Sequence, residues 1–266
     1  VDGVGVTADG FGLRGPRGWA FRGIGVDAEP GSLIAIEGPS GSGRTSLLLA
    51  LTGRMKATEG TATVGGAGLP KRPAAVRRVA ALAHVTGVTD LDPALTVGEH
   101  LRERALLQRR FGGSVRELLR PRAERAAESG LRISAALDAA GLDREALPKG
   151  SRTAVRDLER LEALRLSVAL ALIGRPGLLG VDDVDLKLSG AEREAAWALL
   201  RSLAEAGTTV LAVCAEAPED TVALSTRVDA GTSAQETGSK TGDAETEQET
   251  EREEEMADAL AATGRA

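Results

Sequence analysis

Residues 33–51 read Leu33-Ile34-Ala35-Ile36-Glu37-Gly38-Pro39-Ser40-Gly41-Ser42-Gly43-Arg44-Thr45-Ser46-Leu47-Leu48-Leu49-Ala50-Leu51. Four apolar residues in a row, Leu33 to Ile36, predict a buried strand, and Leu47 to Leu51 predict an apolar helix. The Gly-rich turn between them fits G-x-x-x-x-G-K-[ST] at every position except the lysine, in the strand-then-helix context that pattern requires. Its glycines let the backbone curl so that successive N–H groups and the helix N-terminus point inward at a polyphosphate. Gly38, Pro39, Ser40, Gly41, Ser42, Gly43, Arg44, Thr45 and Ser46 are therefore the candidate nucleotide-binding residues, with the Thr45 hydroxyl available to Mg²⁺. Arg44 keeps the positive charge of the missing lysine, but its guanidinium is wider, planar and directional. A misplaced charged hydrogen bond is worth roughly 1.5–3 kcal/mol, which predicts about ten- to hundredfold weaker nucleotide binding.

Outward from this loop, short apolar runs alternate with helical patterns. Leu178 to Val181 and Thr209 to Val213 predict two more strands. Between them, Ser189 to Ala206 has apolar residues at helical spacing (Ala196, Leu199, Leu200, Leu203) behind a Ser N-cap with Glu192 three residues on. Strands alternating with helices predict an α/β fold with a mainly parallel sheet. Residues 97–172 are almost entirely helical in pattern, with breaks expected near Gly112-Gly113, Gly130 and Pro148-Lys149-Gly150, and read as a helical insert within that core.

The chain has 266 residues, 42% hydrophobic and 27% charged, enough for a sizeable core in one or two domains. A single cysteine, Cys214, excludes an internal disulfide and any zinc site built on paired cysteines. Residues 229–266 hold 11 acids and 3 bases, net −8, and the body up to 228 is net +2. The tail, poor in large apolar side chains, is expected to be acidic and disordered. The nearly neutral body lacks the basic footprint of a nucleic-acid binder. No apolar stretch approaches the roughly 18–20 residues of a membrane-spanning helix, and no basic-then-apolar leader opens the chain. His84 and His100 read as surface or packing residues.

The whole body, about residues 4 to 228, resembles the ATP-binding cassette family, the nucleotide-binding domains of ABC transporters. The resemblance rests on Gly31, the loop Gly38–Ser46 with Leu47-Leu48, then Gly53, Gly60, Gly65 and Leu95-Thr96-Val97-x-Glu99-x-Leu101. Downstream, Arg175-Pro176-Gly177-Leu178-Leu179-Gly180-Val181-Asp182-Asp183 resembles the second nucleotide motif, an apolar strand ending in an acid that holds Mg²⁺. The resemblance implies a P-loop NTPase fold with N-terminal antiparallel strands and a helical subdomain, in a domain covering 1–228. It also implies metal ligation by Thr45 and Asp182. Asp183 stands where the family has the Glu that polarises the attacking water, one methylene shorter.

Other landmarks depart from the family. Leu158-Glu159-Arg160-Leu161-Glu162 falls on the signature L-S-G-G-Q and keeps only the Leu. Gly87 falls on the Gln that reports the γ-phosphate, Ala215 on the switch His, and Leu186-Lys187-Leu188-Ser189 on the D-loop. The adenine-stacking aromatic falls on Gly15, leaving Phe11, Trp19 and Phe21 as substitute platforms or ordinary core residues.

The family's sites are composites of one subunit's phosphate loop and another's signature. In a homodimer both signatures are missing; in a heterodimer each site has one impaired half. The expected function is an ATP-binding subunit that couples nucleotide binding, with or without slow hydrolysis, to a separate membrane permease. Its cofactors would be ATP and Mg²⁺, its dimer partner itself or another ABC subunit, and its place cytoplasmic, peripheral on the inner face of the membrane. The alternative is a non-hydrolysing binding or regulatory subunit. A nucleotide kinase, suggested by Gly38-Pro39-Ser40-Gly41, is disfavoured because that family reads GMP partly with tyrosines and this chain has none.

Overall fold

A computed structural model describes residues 2–111 and 121–226. The expected acidic tail and the break at Gly112-Gly113 lie outside the described residues. In chain order the elements are β1 (Val6–Gly15), β2 (Gly18–Ala28), β3 (Leu33–Glu37), α1 (Arg44–Leu51), β4 (Glu59–Val64), β5 (Ala67–Leu69), α2 (Pro73–Val79) and β6 (Ala80–Ala83). There follow α3 (Val97–Phe111), α4 (Arg122–Ala139), α5 (Arg160–Leu172), β7 (Leu178–Val181), α6 (Gly190–Glu205), β8 (Thr209–Val213) and β9 (Val222–Ser225).

The strands form two sheets. A parallel five-stranded sheet runs β6-β7-β8-β3-β9, and an antiparallel four-stranded sheet runs β2-β1-β4-β5. The inner strands β7, β8 and β3 are largely apolar because both of their faces are covered, whereas the edge strand β9 is mostly exposed. Leu33 and Ala35 of β3 and Val210 and Ala212 of β8 pack on the side that holds Leu137, Leu166 and Leu200 of the helices. Ile34, Ile36, Leu211 and Val213 face the other way, onto Leu47, Leu48 and Leu51 of α1 and onto Phe11 and Phe21 of the antiparallel sheet. The mainly parallel α/β fold with antiparallel N-terminal strands is thus what the chain adopts.

Helix α6 starts as its sequence dictates. Glu192 N–H donates to Ser189 Oγ (3.3 Å) and Ser189 N–H donates to Glu192 Oε2 (2.8 Å), a reciprocal cap. Near Pro148-Lys149-Gly150 the chain does break, into two short 3₁₀ turns at Gly150–Arg152 and Val155–Asp157. The break expected at Gly130 does not occur: α4 runs through it. A glycine costs about 1 kcal/mol in a helix interior, less than the burial of Ala136, Leu137 and Ala140 gains from keeping the helix whole.

The fold brings the C-terminal ends of the parallel strands to one edge. The Gly-rich loop follows β3, Asp182 and Asp183 follow β7, Cys214 and Ala215 follow β8, and Thr226 follows β9. Crevices outside the carboxyl ends of such strands are where open α/β sheets bind ligands. Among the described residues no helix is long and apolar enough to cross a membrane.

Candidate functional site

The loop 38–46 borders a cleft of about 640 Å³ that Asp183, Asp185, Leu186 and Ala215 also line. Among the described residues, the backbone N–H groups of Gly43, Arg44, Thr45 and Ser46 find no acceptor, and the first bond of α1 is Leu47 N–H to Gly43 O at 2.8 Å. These are the orphan donors of a helix start, and the four residues that carry them line the cleft. The loop itself is braced from behind. Ser42 N–H donates to Pro39 O (3.2 Å), and the Ser42 and Thr226 hydroxyls share a hydrogen bond of 2.6 Å. Gly43, at φ 85°, lies so close to β2 that a Cβ there would fall 1.9 Å from the Ala20 carbonyl oxygen.

Two consecutive residues at the start of α1 meet two consecutive acids at the end of β7. Thr45 Oγ1 donates to Asp182, 2.9 Å from Oδ2 and 3.2 Å from Oδ1. Arg44 Nη2 lies 3.9 Å from Asp183 Oδ1, while Arg44 Nη1 donates to the carbonyl of Cys214. Asp182 is 3% exposed. That burial pushes its carboxyl above the usual carboxylate range, with the Thr45 hydrogen bond opposing and the Asp183 charge adding to the rise. A buried carboxylate short of positive charge, with a hydroxyl against both of its oxygens, is a donor set that suits a hard divalent cation.

The remaining candidates separate. Gly87 sits in a turn closed by Val88 N–H to Val85 O (3.0 Å), its own N–H given to Asp90 Oδ2 (2.8 Å). Ala215 offers only a methyl group to the cleft. At the signature segment, Glu159 N–H donates to Glu162 Oε2 at 2.8 Å, so the start of α5 is occupied by the chain's own carboxylate. Phe11 and Phe21 are not platforms: they pack in the core with ring centroids 5.9 Å apart. Trp19, next to Ala20 and hence to the loop, has the Arg22 guanidinium 4.8 Å and the Arg14 guanidinium 5.6 Å from its ring centre. His100 is a packing residue, its Nε2 3.2 Å from Asp92 O. His84 is exposed just beyond β6, its backbone N–H held by Ser167 Oγ at 2.7 Å.

Sequence reasoning missed Asp185. Its Oδ2 accepts from Ala215 N–H at 2.8 Å and ties the loop after β7 to the end of β8 at the cleft wall. The only signal was its position three residues after Asp182. Glu37 was also passed over; its Oε2 accepts from Ala217 N–H at 2.9 Å and fixes the chain after β8 against β3.

Comparison with known proteins bears on the fold and the family. The Nod factor export ATP-binding protein I of Cupriavidus metallidurans is 33% identical over 187 residues, 70% of this chain and 54% of that one. The Fe(3+) ions import ATP-binding protein FbpC of Streptomyces avermitilis is 33% identical over 191 residues, 71% of this chain and 49% of that one. The chain thus spans about half the length of these relatives. Among solved structures, a bacterial ABC transporter cassette in dimeric form superposes with a TM-score of 0.61 at 21% identity, over 79% of this chain and 88% of that one. The cassette cbiO1 of Clostridium perfringens, part of an ABC transporter complex, gives 0.63 at 17% identity over 79% and 78%. These likenesses establish a shared fold. Residues 21–185 match the family model described as ABC transporter, and with the relatives at a third identity this places the chain in the ABC transporter family.

Proposed function

We propose that residues 1–228 form an ATP-binding domain, with the helices of about 97–172 as its insert, and that it couples Mg-ATP binding to a separate membrane permease. The pairing of Thr45 with the buried Asp182 beside four unspent N–H groups carries this reading. On it, Thr45 and Asp182 hold the magnesium ion, and the N–H groups of Gly43 to Ser46 take phosphate oxygens. The ion supplies charge neutralisation between the outer phosphates. The protein works as a homodimer or beside another ABC subunit, and sits on the cytoplasmic face of the membrane through its permease.

A second reading, that hydrolysis is slow or absent, is favoured by α5. Where an incoming phosphate would need bare N–H groups, the Glu162 carboxylate is already bonded to the Glu159 N–H. Like charges about 4 Å apart repel by roughly 1–4 kcal/mol, depending on screening. Neither Gly87 nor Ala215 offers a polar side chain to a γ-phosphate or to water, and Asp183 is drawn toward Arg44.

Calorimetric titration of Mg-ATP tests the first reading. Binding is expected in the parent chain, about ten- to hundredfold tighter in Arg44→Lys and lost in Asp182→Ala. No heat in any of the three refutes a nucleotide site. Phosphate release matching that of an intact cassette assayed alongside refutes the second reading.

A further inference from the structure

The side chain of Arg44 does not lie along the loop that carries it. It crosses the C-terminal ends of two neighbouring strands, giving Nη1 to the Cys214 carbonyl after β8 and setting Nη2 3.9 Å from Asp183 Oδ1 after β7. The Arg44 side chain is largely buried, 14% exposed, and that of Asp183 is half-buried, 32% exposed. Asp183 is brought there by its backbone, which turns into the left-handed region at φ 46° directly after the strand. Asp182 can therefore point at Thr45 while Asp183 points at Arg44. Ala215, the next residue after Cys214, lines the cleft with a methyl group and brings no charge to compete for that carbonyl. A guanidinium suits this position because its two terminal nitrogens serve two acceptors at once, whereas an ammonium is a single point donor.

We propose that Arg44 is a latch. Its guanidinium is held by Asp183 and the Cys214 carbonyl, and the phosphate oxygens of a bound nucleoside triphosphate compete with Asp183 for it. The proposal rests on the nucleotide-site reading above and deepens it. Asp183 acts here as a positioning residue, the counter-ion that parks the loop's only cation. Phosphate oxygens are the competing anions, and they outbid one carboxylate because a triphosphate with magnesium presents several oxygens at the mouth of the same loop. An ion pair at 3.9 Å with a third of its carboxylate exposed is worth a few-fold in an equilibrium constant, so the latch tunes affinity rather than forbidding binding.

The test is a double-substitution cycle over Arg44→Ala and Asp183→Asn, read twice. Without nucleotide, urea denaturation should give a lower midpoint for Asp183→Asn when Arg44 is present and an unchanged one in the Arg44→Ala background. In Mg-ATP titrations, Asp183→Asn should tighten binding about five- to tenfold when Arg44 is present. In the Arg44→Ala background the gain should be less than about twofold, because only carboxylate–phosphate repulsion is then relieved. An absence of coupling in the urea series overturns the latch, whatever nucleotide does. Weaker Mg-ATP binding by Asp183→Asn with Arg44 present also overturns it, since the pair would then persist in the bound state. If no chain binds Mg-ATP while the urea coupling is found, the nucleotide-site reading fails and the pair is structural only, which overturns the latch by a distinguishable route.

Discussion

Replacing Gly43 with alanine tests how the loop is built. At φ 85° an L-residue carries a backbone cost of about 1–2 kcal/mol. The new Cβ would also fall 1.9 Å from the Ala20 oxygen and 2.6 Å from its carbonyl carbon, where real contacts stay above about 3 Å. That atom belongs to β2, locked to β1 through Leu13 opposite Phe21 and Arg14 opposite Trp19, so neither side can give way cheaply. Overpacking of this kind adds about 1–3 kcal/mol, for a total near 2–5 kcal/mol. Gly41 is the control: its φ is 82°, but a Cβ there meets nothing within 4 Å. Gly41→Ala should therefore cost only the backbone part, about 1–2 kcal/mol. At about 2–4 °C per kcal/mol, thermal denaturation should fall by roughly 4–20 °C for Gly43→Ala and by 2–8 °C for Gly41→Ala, with the first always the larger. Equal drops in the two variants would refute the argument that close approach to Ala20, rather than backbone conformation alone, demands glycine at 43.

Burial pushes the Cys214 thiol up to about 12. The unfolded chain loses that proton near pH 8.5, so between about pH 9 and 12 the unfolded state binds fewer protons and stability falls as pH rises, by about 1.4 kcal/mol per unit from this group. Cys214→Ala should flatten that slope in urea melts, and the native chain should resist a thiol reagent at pH 8 that labels it once unfolded. Ser189→Ala removes the cap of α6 and should cost about 1 kcal/mol, seen as a fall of about 2–4 °C in Tm, with nucleotide binding unchanged. Gly180→Ala places a Cβ 2.7 Å from Leu82 Cδ2 and 2.9 Å from Leu48 Cδ1, so it should destabilise by about 1–3 kcal/mol in the same assay. Finally, Mg-ADP should bind within about tenfold of Mg-ATP when both are titrated into the parent chain.

The elements legible in the sequence are those whose physics is local or whose burial is two-sided. β3, β7 and β8 stand out because both faces are covered and nearly every residue is apolar, and the Ser189–Glu192 cap because its partners are three residues apart. The antiparallel sheet was harder to delimit. β1 carries register shifts between Ala8 and Phe11 and again up to Arg14, which break the alternation a reader would count. Phe11 and Phe21 could not be sorted from Trp19 by pattern, since only the hairpin register sends the first two inward. The candidate site divides in the same way. The loop and Asp182 lie in contiguous patterns, whereas the contact of Arg44 with the Cys214 carbonyl joins residues 170 apart in sequence and uses a backbone acceptor that every residue type offers.

The modest preference expected between ATP and ADP follows from where the substitutions fall. On the proposed reading the inner phosphates and the metal are served by the backbone N–H groups of Gly43 to Ser46, which no side-chain exchange removes, and by Thr45 and Asp182, whose residue types are those the resemblance calls for. The positions that would meet a γ-phosphate are altered in one direction. Gly87 and Ala215 give it no side-chain donor, and the start of α5 presents Glu159 and Glu162. On that reading each of these alterations removes a polar side chain or adds a carboxylate where a third phosphate would lie. Discrimination between a triphosphate and a diphosphate comes from contacts made to one and not the other. On the proposed reading, a site that keeps the shared contacts and loses the distinguishing ones is expected to hold either nucleotide, with little difference in free energy between them to drive a cycle.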